Sequence, residues 1–361
     1  VYAKNAESAV WENNCKPTPW EVNEYVFEEE KRLKGEEFIP LLSVESGFYE
    51  DEFLLEITSS KGYDIYYTLD GTEPTTEGVQ YSNPILIKDA TTNPNVYSVI
   101  EEMYIWDEKG DIPTDLVDKC NIIRAIAVSD EGYVSDEVIG SYFVGFQEKK
   151  AYEKTYVLSL VTNPENLFSY EYGIFVGGKL LEENPPADMS RPDRALGNYS
   201  GQGKGWRREA FVELFAPTGE RLHSQTVDIG IHGNYTKAYP QKALNLFAKT
   251  QENASNYIFD SMFGGKNRSL MLRPGGATDC WETQFRDALN HKLVQDRSLT
   301  VLHAVPCQVF IDGEYWGLYN LQERIDQGLI AKKYDIEEEL LTEEEIADLS
   351  AKLSTLAKQI F

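Results

Sequence analysis

Short runs of alternating apolar and polar residues, separated by turn residues, fill the chain from residue 38 to residue 147. Alternation with a period of two is typical of strands that bury one face. Asp70-Gly71 is a strong signal for a tight turn between two such strands. We therefore predict a β-sandwich over 38–147, with a helical or irregular insertion at 88–118. The predicted strands are Phe53–Ile57, Ile65–Thr68, Pro84–Ile87, Ile122–Val128 and Gly140–Val144.

The pattern changes after a polar joint near residue 150, and we predict a second domain over 150–361. Tyr156–Val161 is an almost continuous apolar run, which is typical of a buried strand. Phe285 and Leu289 have helical spacing within 282–295, which predicts a helix whose apolar side faces the core. Strands that cluster among segregated helices favour an α+β domain. The other predicted strands are Ala210–Phe215, Thr226–Ile231, Ala243–Phe247, Gln308–Ile311 and Tyr315–Tyr319.

Three segments lack a regular strand pattern. Residues 1–37 are predicted to form an N-terminal extension that contains a short amphipathic helix at 20–33. Residues 178–206 are rich in glycine, proline, asparagine and charged residues, which predicts a long surface loop. Residues 335–361 are predicted to form an acidic helical stretch. Consecutive glutamates on a helix point about 100° apart, so they cannot converge on one metal ion.

The composition of the chain excludes several classes of partner. It carries 60 acidic and 34 basic residues, which gives a formal net charge of −26. Binding to duplex nucleic acid and docking on anionic membranes both need positive surfaces, so we expect neither. No apolar run approaches the roughly 20 residues of a membrane-spanning helix. The 4 cysteines show no CxxC spacing and the 4 histidines show no metal-ligand spacing, so we expect no structural zinc.

The segment 230–246 has the pattern strand, glycine-containing loop, strand. Gly233 lies in the loop, and Lys242 lies at the start of the second strand. A glycine allows backbone N–H groups to approach a phosphate, and a lysine on a rigid strand supplies a positive charge. The pattern is compatible with phosphate contact, with an ordinary hairpin as the alternative. We predict that Lys242 points into a polar cleft with a carboxylate within ion-pair reach, because burial without one lowers the pKa of a lysine.

The first domain resembles a known family. The residues YYTLDGTEPT at 66–75 are followed by YSNPI at 81–85 and by IRA at 123–125. This pattern is similar to the chitobiase/β-hexosaminidase C-terminal-type domain. The resemblance implies an immunoglobulin-like β-sandwich that mostly positions a neighbouring domain. It leaves open that exposed tyrosines of this β module contact polysaccharide.

The second domain resembles the spore-coat protein H (CotH) kinase family through five segments in order. The resemblance implies an atypical kinase-like fold in a secreted bacterial protein, extracellular or on the cell surface. It implies phosphorylation of Ser residues in a protein substrate, with ATP and Mg²⁺ or Mn²⁺ as cofactors. The lysine of the PQK motif is Lys242, which the resemblance implies as a ligand of the nucleotide phosphates. The segments are YVLSLVTNPENLF, RREAFVELF, IGIHGNYTKAYPQKALNLFAK, LMLRPGGATDCWETQFRDALNHKL and VFIDGEYWGLYNLQERID.

Two positions near the predicted helix are further candidates. Arg273 ends an apolar strand beside a glycine-rich loop, where a guanidinium is able to bind phosphate bidentately. The alternative is an ion pair between Arg273 and the helix that follows. Asp287 is the first choice, and Glu282 the second, for a carboxylate that orients Lys242 as a kinase helix glutamate orients its lysine. A charge pair on the helix surface is the alternative for Asp287.

Glu323 and Asp326 follow the last predicted strand, three residues apart. They are candidates for contact with nucleotide or metal, and a structural role is the alternative. In the resembled family the metal-binding acids lie further along the sequence, and 335–361 shows no such motif. We therefore expect a kinase-like domain that is incomplete at its C-terminal end, binds nucleotide weakly and shows no turnover. The metal ligands stay unassigned.

A second class of function fits the same sequence. An extracellular binding or scaffold protein would combine a catalytically silent kinase-like domain with a carbohydrate-contacting β module. A glycoside hydrolase is a weaker third option, because no motif singles out a pair of carboxylates. Paired Asp and Asn residues further downstream would favour catalysis.

Overall fold

The computed structural model describes residues 38–104, 112–147, 149–186, 195–234, 236–249, 256–275, 283–297 and 299–335. It also describes two short N-terminal strands, β1 (Tyr2–Lys4) and β2 (Trp11–Asn13), which pair antiparallel. The helix predicted at 20–33 and the acidic stretch after residue 335 lie outside the described residues. The same holds for Glu282, the second choice for a helix carboxylate.

The first domain is built from short strands, as the alternating pattern predicts. They are β3 (Leu41–Leu42), β4 (Gly47–Tyr49), β5 (Phe53–Leu55), β6 (Ile57–Thr58), β7 (Asp64–Thr68), β8 (Val79–Gln80), β9 (Ile85–Ile87), β10 (Asn121–Val128) and β11 (Val138–Val144). The main sheet has the order β4-β11-β10-β7-β8, and two small sheets pair β3 with β6 and β5 with β9. Each predicted strand is found, although the first divides into two at Glu56. The immunoglobulin-like sandwich stays a prediction.

The second domain is a closed barrel of seven strands. They are β12 (Tyr156–Val161), β13 (Arg208–Phe215), β14 (Arg221–His232), β15 (Ala243–Ala248), β16 (Ser269–Arg273), β17 (Ala304–Ile311) and β18 (Glu314–Glu323). Their order is β12-β13-β14-β15-β16-β18-β17, and the parallel pairing of β17 with β12 closes the ring. Inward-pointing alternate residues such as Leu158, Leu246 and Leu321 form one core inside the barrel.

The described helices are short, and the first of them contributes Leu167 to the barrel core. They are α1 (Pro164–Phe168), α2 (Gly178–Glu183), α3 (Arg286–Leu293) and α4 (Gln327–Tyr334). The described part of the chain is therefore mostly β, and the expected α+β kinase-like arrangement is not what it shows. The structure confirms the helix predicted at 282–295 but not its packing, because Phe285 and Leu289 are 53% and 42% exposed. The loop predicted at 178–206 contains α2 and a buried Tyr199.

The two domains meet through a shared aromatic core. Within the described residues, no sheet contains strands from both sides of residue 150. The ring centroids of Phe143 and Phe146 in the first domain lie 5.1 and 5.8 Å from that of Phe310 in the barrel. An isolated antiparallel bridge also joins Lys119 to Glu314. The domain boundary stays a prediction, and the shared core shows that the first domain is not packed independently of the barrel.

The insertion between β9 and β10 is held by one carboxylate of the barrel. Glu314 begins β18 and is 4% exposed. Its carboxylate accepts hydrogen bonds from the backbone N–H groups of Val96, Tyr97 and Ser98, the last two at 3.2 and 2.8 Å. Met103, further along the insertion, is buried in the barrel core. The insertion predicted at 88–118 therefore completes the second domain.

Glu314→Gln is expected to loosen this insertion, because an amide offers one oxygen where the carboxylate offers two. We expect the free energy of unfolding to fall by about 2 kcal/mol, a value typical of hydrogen bonds to a charged group. Urea denaturation measures the change, and limited proteolysis reports new cleavage within 88–118. Glu131→Gln, in an exposed turn of the first domain, is the control. Equal denaturation midpoints for the two variants would show that Glu314 does not hold the insertion.

Candidate functional site

Alternate residues of four adjacent barrel strands form a polar surface opposite the barrel core. Leu244 and Leu272 point into the core, so their neighbours along β15 and β16 point to the other side. The strand register places Asn245 beside Met271, and Met271 beside Gln322. Arg207, just before β13, lies against the same surface at Phe247. We call this surface the polar barrel face, and it comprises Arg207, His232, Asn245, Phe247, Arg273, Asn320, Gln322 and Arg324.

Two guanidinium groups of this face share one aromatic ring. Arg207 Cζ lies 3.6 Å from the centroid of the Phe247 ring, and Arg324 Cζ lies 5.2 Å from it. Such contacts are attractive because the face of the ring is electron-rich. Arg324 Nη1 also donates a hydrogen bond to Ser269 Oγ at 3.2 Å. The ring and the hydroxyl therefore fix the direction of two positive charges.

Arg273, the third guanidinium, pairs with Asp287. Arg273 ends β16, and its Nε donates to the carbonyl oxygen of Gly275 at 2.9 Å. Its Nη1 lies 3.8 Å from Oδ2 of Asp287, in the first turn of α3. The two side chains are 34% and 37% exposed, so the contact is a weak surface pair. The structure thus corrects the expected pairing of Asp287 with Lys242 and shows the alternative, an ion pair between Arg273 and the helix.

His232 is neutral at the centre of the face. Burial lowers the pKa of its imidazole to about 4, together with the positive charges of Arg273 and Arg324, while a hydrogen bond with Asn245 opposes them. Asn245 is buried, and Oδ1 is the atom of its side chain that accepts a hydrogen bond. His232 and Asn245 therefore form a polar pair at the centre of this face.

The loop after β14 requires glycine at position 233. Gly233 has a backbone φ of 106°, in the region that residues with a Cβ rarely adopt. An added Cβ would lie 2.9 Å from Thr236 Oγ1. The turn alone accounts for this glycine, and contact between the loop N–H groups and a phosphate stays a prediction.

Lys242 lies on the inner side of the sheet, away from the polar barrel face. Its side chain is fully buried, and its Nζ donates to the carbonyl oxygens of Lys237 and Tyr239 at 2.8 and 2.7 Å. The Nζ atom also lies 5.1 Å from the centroid of the Tyr199 ring. Burial lowers the pKa of this lysine to about 7. The expected cleft and carboxylate partner are not found in the described residues, because backbone carbonyls and an aromatic ring surround the ammonium instead.

Glu323 is the centre of a buried ion cluster at one end of the barrel. Its carboxylate is 1% exposed and lies 2.9 Å from His303 Nδ1 and 2.9 Å from Lys333 Nζ. Lys332 Nζ lies 3.3 Å from the other oxygen. Burial raises the pKa of Glu323, but hydrogen bonds from the His303 N–H and from Lys333 outweigh it, so the net pKa is lowered. The cluster joins β18 to α4, which is the structural alternative for this residue.

Asp326 caps a helix. Its Oδ1 accepts a hydrogen bond from the Leu329 N–H at 2.8 Å at the start of α4, and its Oδ2 accepts one from the Ser269 hydroxyl. Arg324 Nη1 lies 3.9 Å from the same Oδ2. Glu323 ends a strand and Asp326 begins a helix, so the two carboxylates do not share one helix face. The structure shows the structural alternative for Asp326 as well.

A cavity of about 530 Å³ lies beside the Glu323 cluster. Phe263, His291, Lys292 and His303 are among its lining residues. Burial lowers the pKa of His291, so that its imidazole is neutral at pH 7. The volume is that of a small-molecule pocket. Neither histidine was among the expected site residues, because no metal-ligand spacing marks them.

Comparison with known families identifies two segments. Residues 55–142 match the family described as Fn3 associated, and residues 229–358 match the family described as CotH kinase protein. We call residues 229–358 the CotH segment. The order of the segments agrees with the resemblance to that family behind an N-terminal β domain. No curated protein matches the chain. The CotH segment starts within β14 and contains all the expected site residues, Gly233, Lys242, Arg273, Asp287, Glu323 and Asp326.

Several residues of the CotH segment that meet at the polar barrel face were not among the expected ones. His232, Asn245 and Arg324 lie inside the segments that carry the family resemblance, but charge and spacing alone do not single them out. Strand alternation was the available signal. It places His232 on the side of the strand opposite to Ile229 and Ile231, and Asn245 opposite to Leu244 and Leu246.

The described residues of the CotH segment do not form a metal site. They contain no group of three or more His, Cys, Asp or Glu side chains arranged to hold a metal ion. Mg²⁺ prefers carboxylate and water ligands, whereas Glu323 is paired with two lysines and Asp326 caps α4. These two carboxylates therefore do not fit the expected metal. No described helix has the length and apolar character to cross a membrane.

Proposed function

We propose that the protein is an atypical protein kinase that transfers the γ-phosphate of ATP to Ser residues of a protein substrate. The match of residues 229–358 to the CotH kinase family supports the reaction class. The observation that carries the proposal is the polar barrel face, where Arg273 and Arg324 lie near a neutral His232. We also propose that the protein acts outside a bacterial cell, as the family resemblance implies.

The charge of the polar barrel face suits a triphosphate. Most of the chain repels ATP, because its formal net charge is −26. Guanidinium groups bind phosphate oxygens through two parallel hydrogen bonds. The side chains of Arg273 and Arg324 are 34% and 29% exposed, so a ligand is able to reach them. The neutral imidazole of His232 adds no charge to this face, so the guanidinium groups carry its positive charge.

Lys242 contributes to nucleotide binding as a positioning residue in this proposal. Its ammonium ties together the carbonyl oxygens of Lys237 and Tyr239, and these residues belong to the loop that Gly233 begins. Fixed carbonyls also fix the direction of the neighbouring N–H groups, which preorganises the loop before a ligand binds. This role differs from the direct phosphate contact that the family resemblance implies.

ATP, when bound, would supply the transferable phosphoryl group, and the residues of the polar barrel face would hold and orient it. Two observations favour a second candidate, a nucleotide-binding protein with a catalytically silent kinase-like domain. Glu323 is neutralised by Lys332, Lys333 and His303, and Asp326 is used as a helix cap. Neither carboxylate is in a position to accept the proton of a substrate hydroxyl.

Replacing Arg273 and Arg324 together by glutamine is expected to weaken ATP binding by about 10- to 100-fold. This factor corresponds to about 1.5–3 kcal/mol for hydrogen bonds between charged groups. Isothermal titration calorimetry with ATP and Mg²⁺ measures it. Arg208→Gln is the matched control, because the Arg208 guanidinium lies over the rings of Tyr172 and Trp206 and is not part of the polar barrel face. An unchanged affinity in the double variant would exclude this face as the nucleotide site.

Turnover separates the two candidate functions. The purified protein is incubated with radiolabelled ATP, Mg²⁺ or Mn²⁺, and dephosphorylated casein as a generic acceptor. Phosphate on casein supports the kinase, and loss of that signal in the double variant ties it to the polar barrel face. ATP binding without any incorporation supports the silent domain.

A further inference from the structure

The segment 256–267, between β15 and β16, is a strained loop that is firmly held. Phe259, Phe263 and Lys266 have backbone φ angles of 46°, 52° and 54°, although none of them is glycine. Such backbone conformations persist only where the surroundings enforce them, and they concentrate at functional sites. Asn267 enforces this one by donating from Nδ2 to the carbonyl oxygens of Ile258, Phe259 and Met262.

A second group holds the loop from the side of α4. Lys332 Nζ donates to the carbonyl oxygens of Phe263 and Gly265 at 3.0 and 3.2 Å. The loop is therefore a rigid platform, and its exposed tip carries Ser261. A rigid, strained turn that presents one hydroxyl to solvent is the arrangement in which a serine acts as a nucleophile.

Ser261 is paired with a histidine at the distance required for proton transfer. His223 Nε2 lies 2.6 Å from Ser261 Oγ. The imidazole is stacked on Phe259, with ring centroids 5.3 Å apart and an angle of 26° between the planes. Burial lowers the pKa of His223, while Asp260 partly opposes this change. The imidazole is therefore neutral at pH 7, and its Nε2 is able to accept the hydroxyl proton.

We propose that Ser261 is a phosphoryl-acceptor site of this chain, activated by His223. The proposal rests on the proposed kinase function, which supplies the donor. In the step, the bond between the γ-phosphorus of ATP and its bridging oxygen breaks, and a bond forms between that phosphorus and Ser261 Oγ. The hydroxyl proton moves to His223 Nε2, and ADP leaves with the bond electrons. The imidazolium that results faces the new phosphate and stabilises it through a charged hydrogen bond.

The site is tested by incubating the purified protein with ATP and Mn²⁺ and locating phosphate by peptide mass spectrometry. We expect phosphate on Ser261 and at least a tenfold lower rate of incorporation there in His223→Gln, which keeps a polar side chain but removes the base. Ser82→Ala, at an exposed serine of the first domain, is the control and should leave this signal unchanged. Ser261→Ala should remove the signal and leave transfer to casein unchanged. Phosphorylated casein without phosphate on Ser261 would overturn the proposal, as would equal rates in His223→Gln.

If neither the protein nor casein is phosphorylated, the proposed kinase function is overturned. A chemical probe then tests separately whether Ser261 is an activated serine. An alkyl fluorophosphonate reacts with an activated serine: the P–F bond breaks, the Oγ–P bond forms, fluoride leaves and the proton goes to the base. Labelling of Ser261 in the wild type, lost in His223→Gln, would support an activated acceptor. Absence of labelling in the wild type would overturn it. Circular dichroism of each variant confirms that the fold is intact.

Discussion

Raising the pH from 7 to 9 should stabilise the wild-type protein relative to Lys242→Met by about 2 kcal/mol. Burial lowers the pKa of Lys242 to about 7 in the folded state, whereas a lysine in an unfolded chain titrates near pH 10.4. Between these two values the unfolded state binds the additional proton, so the free energy of unfolding rises with pH. The limiting slope is about 1.4 kcal/mol per pH unit. The contribution is present at high pH and is lost as the pH falls through about 7.

Chemical denaturation at pH 7, 8 and 9 measures this difference directly. Lys204→Met is the control, because Lys204 is exposed and its variant should follow the wild-type slope. Burial raises the pKa of the Cys120 and Cys307 sulfhydryl groups in the folded state, and this effect cancels in the difference because both proteins contain the two cysteines. Parallel curves for the wild type and Lys242→Met would show that the lysine is not buried as the structure has it.

The position of Lys242 was open to prediction from strand alternation, although its partners were not. Lys242, Leu244 and Leu246 are spaced by two, so a strand places the lysine on the same side as the two core leucines. The motif around Lys242 instead predicted a phosphate ligand and a carboxylate partner for this lysine. Its actual partners are backbone carbonyls of the adjoining loop. Every residue has a backbone carbonyl, so the sequence does not show which of them accept a hydrogen bond.

Elements specified by local chemistry were predicted well. The apolar run Tyr156–Val161 became β12 with the same bounds. Asp312-Gly313 forms the turn between the predicted strands Gln308–Ile311 and Tyr315–Tyr319, with positive φ at both residues. Such features depend on a few neighbouring side chains and on the backbone freedom of glycine. The closed barrel was not predicted, because ring closure depends on the pairing of β12 with β17, which are far apart in the sequence.

Helix α3 was predicted correctly as an element, but its packing was not. The spacing of Phe285 and Leu289 predicts an apolar side, and periodicity is usually reliable for a helix that packs on a core. The helix is present, but both side chains are exposed and neither belongs to the barrel core. Periodicity reports that an apolar side exists, and it does not report whether the fold has a surface left to cover it. The role expected for Asp287 depended on this packing, so its pairing was also misplaced.

Replacing Glu323 by leucine should lower the free energy of unfolding by about 3–5 kcal/mol, because two partly buried lysines then lose their counter-charge. Lys332 and Lys333 have side chains that are 21% and 16% exposed. The partners of Glu323 lower its net pKa, so its carboxylate stabilises the folded wild type fully above about pH 4.5. The difference in the free energy of unfolding between the wild type and Glu323→Leu should therefore be largest there. As the pH falls through the folded pKa, the carboxyl is protonated and the two proteins converge.

A matched second variant separates the charge from the packing. In Glu323→Leu/Lys333→Met, one unpaired cation is removed together with the anion. We therefore expect the free energy of unfolding to recover by at least about 1 kcal/mol relative to Glu323→Leu. Coupling energies between contacting residues are about 0.5–3 kcal/mol. Lys333→Met alone should cost less than Glu323→Leu, because Glu323 keeps Lys332 and His303 as partners. Thermal and urea denaturation of the four proteins complete the double-variant cycle. Strictly additive effects would mean that Glu323 and Lys333 do not interact, and the metal or nucleotide contact first expected for Glu323 would then again be open to test by ATP titration.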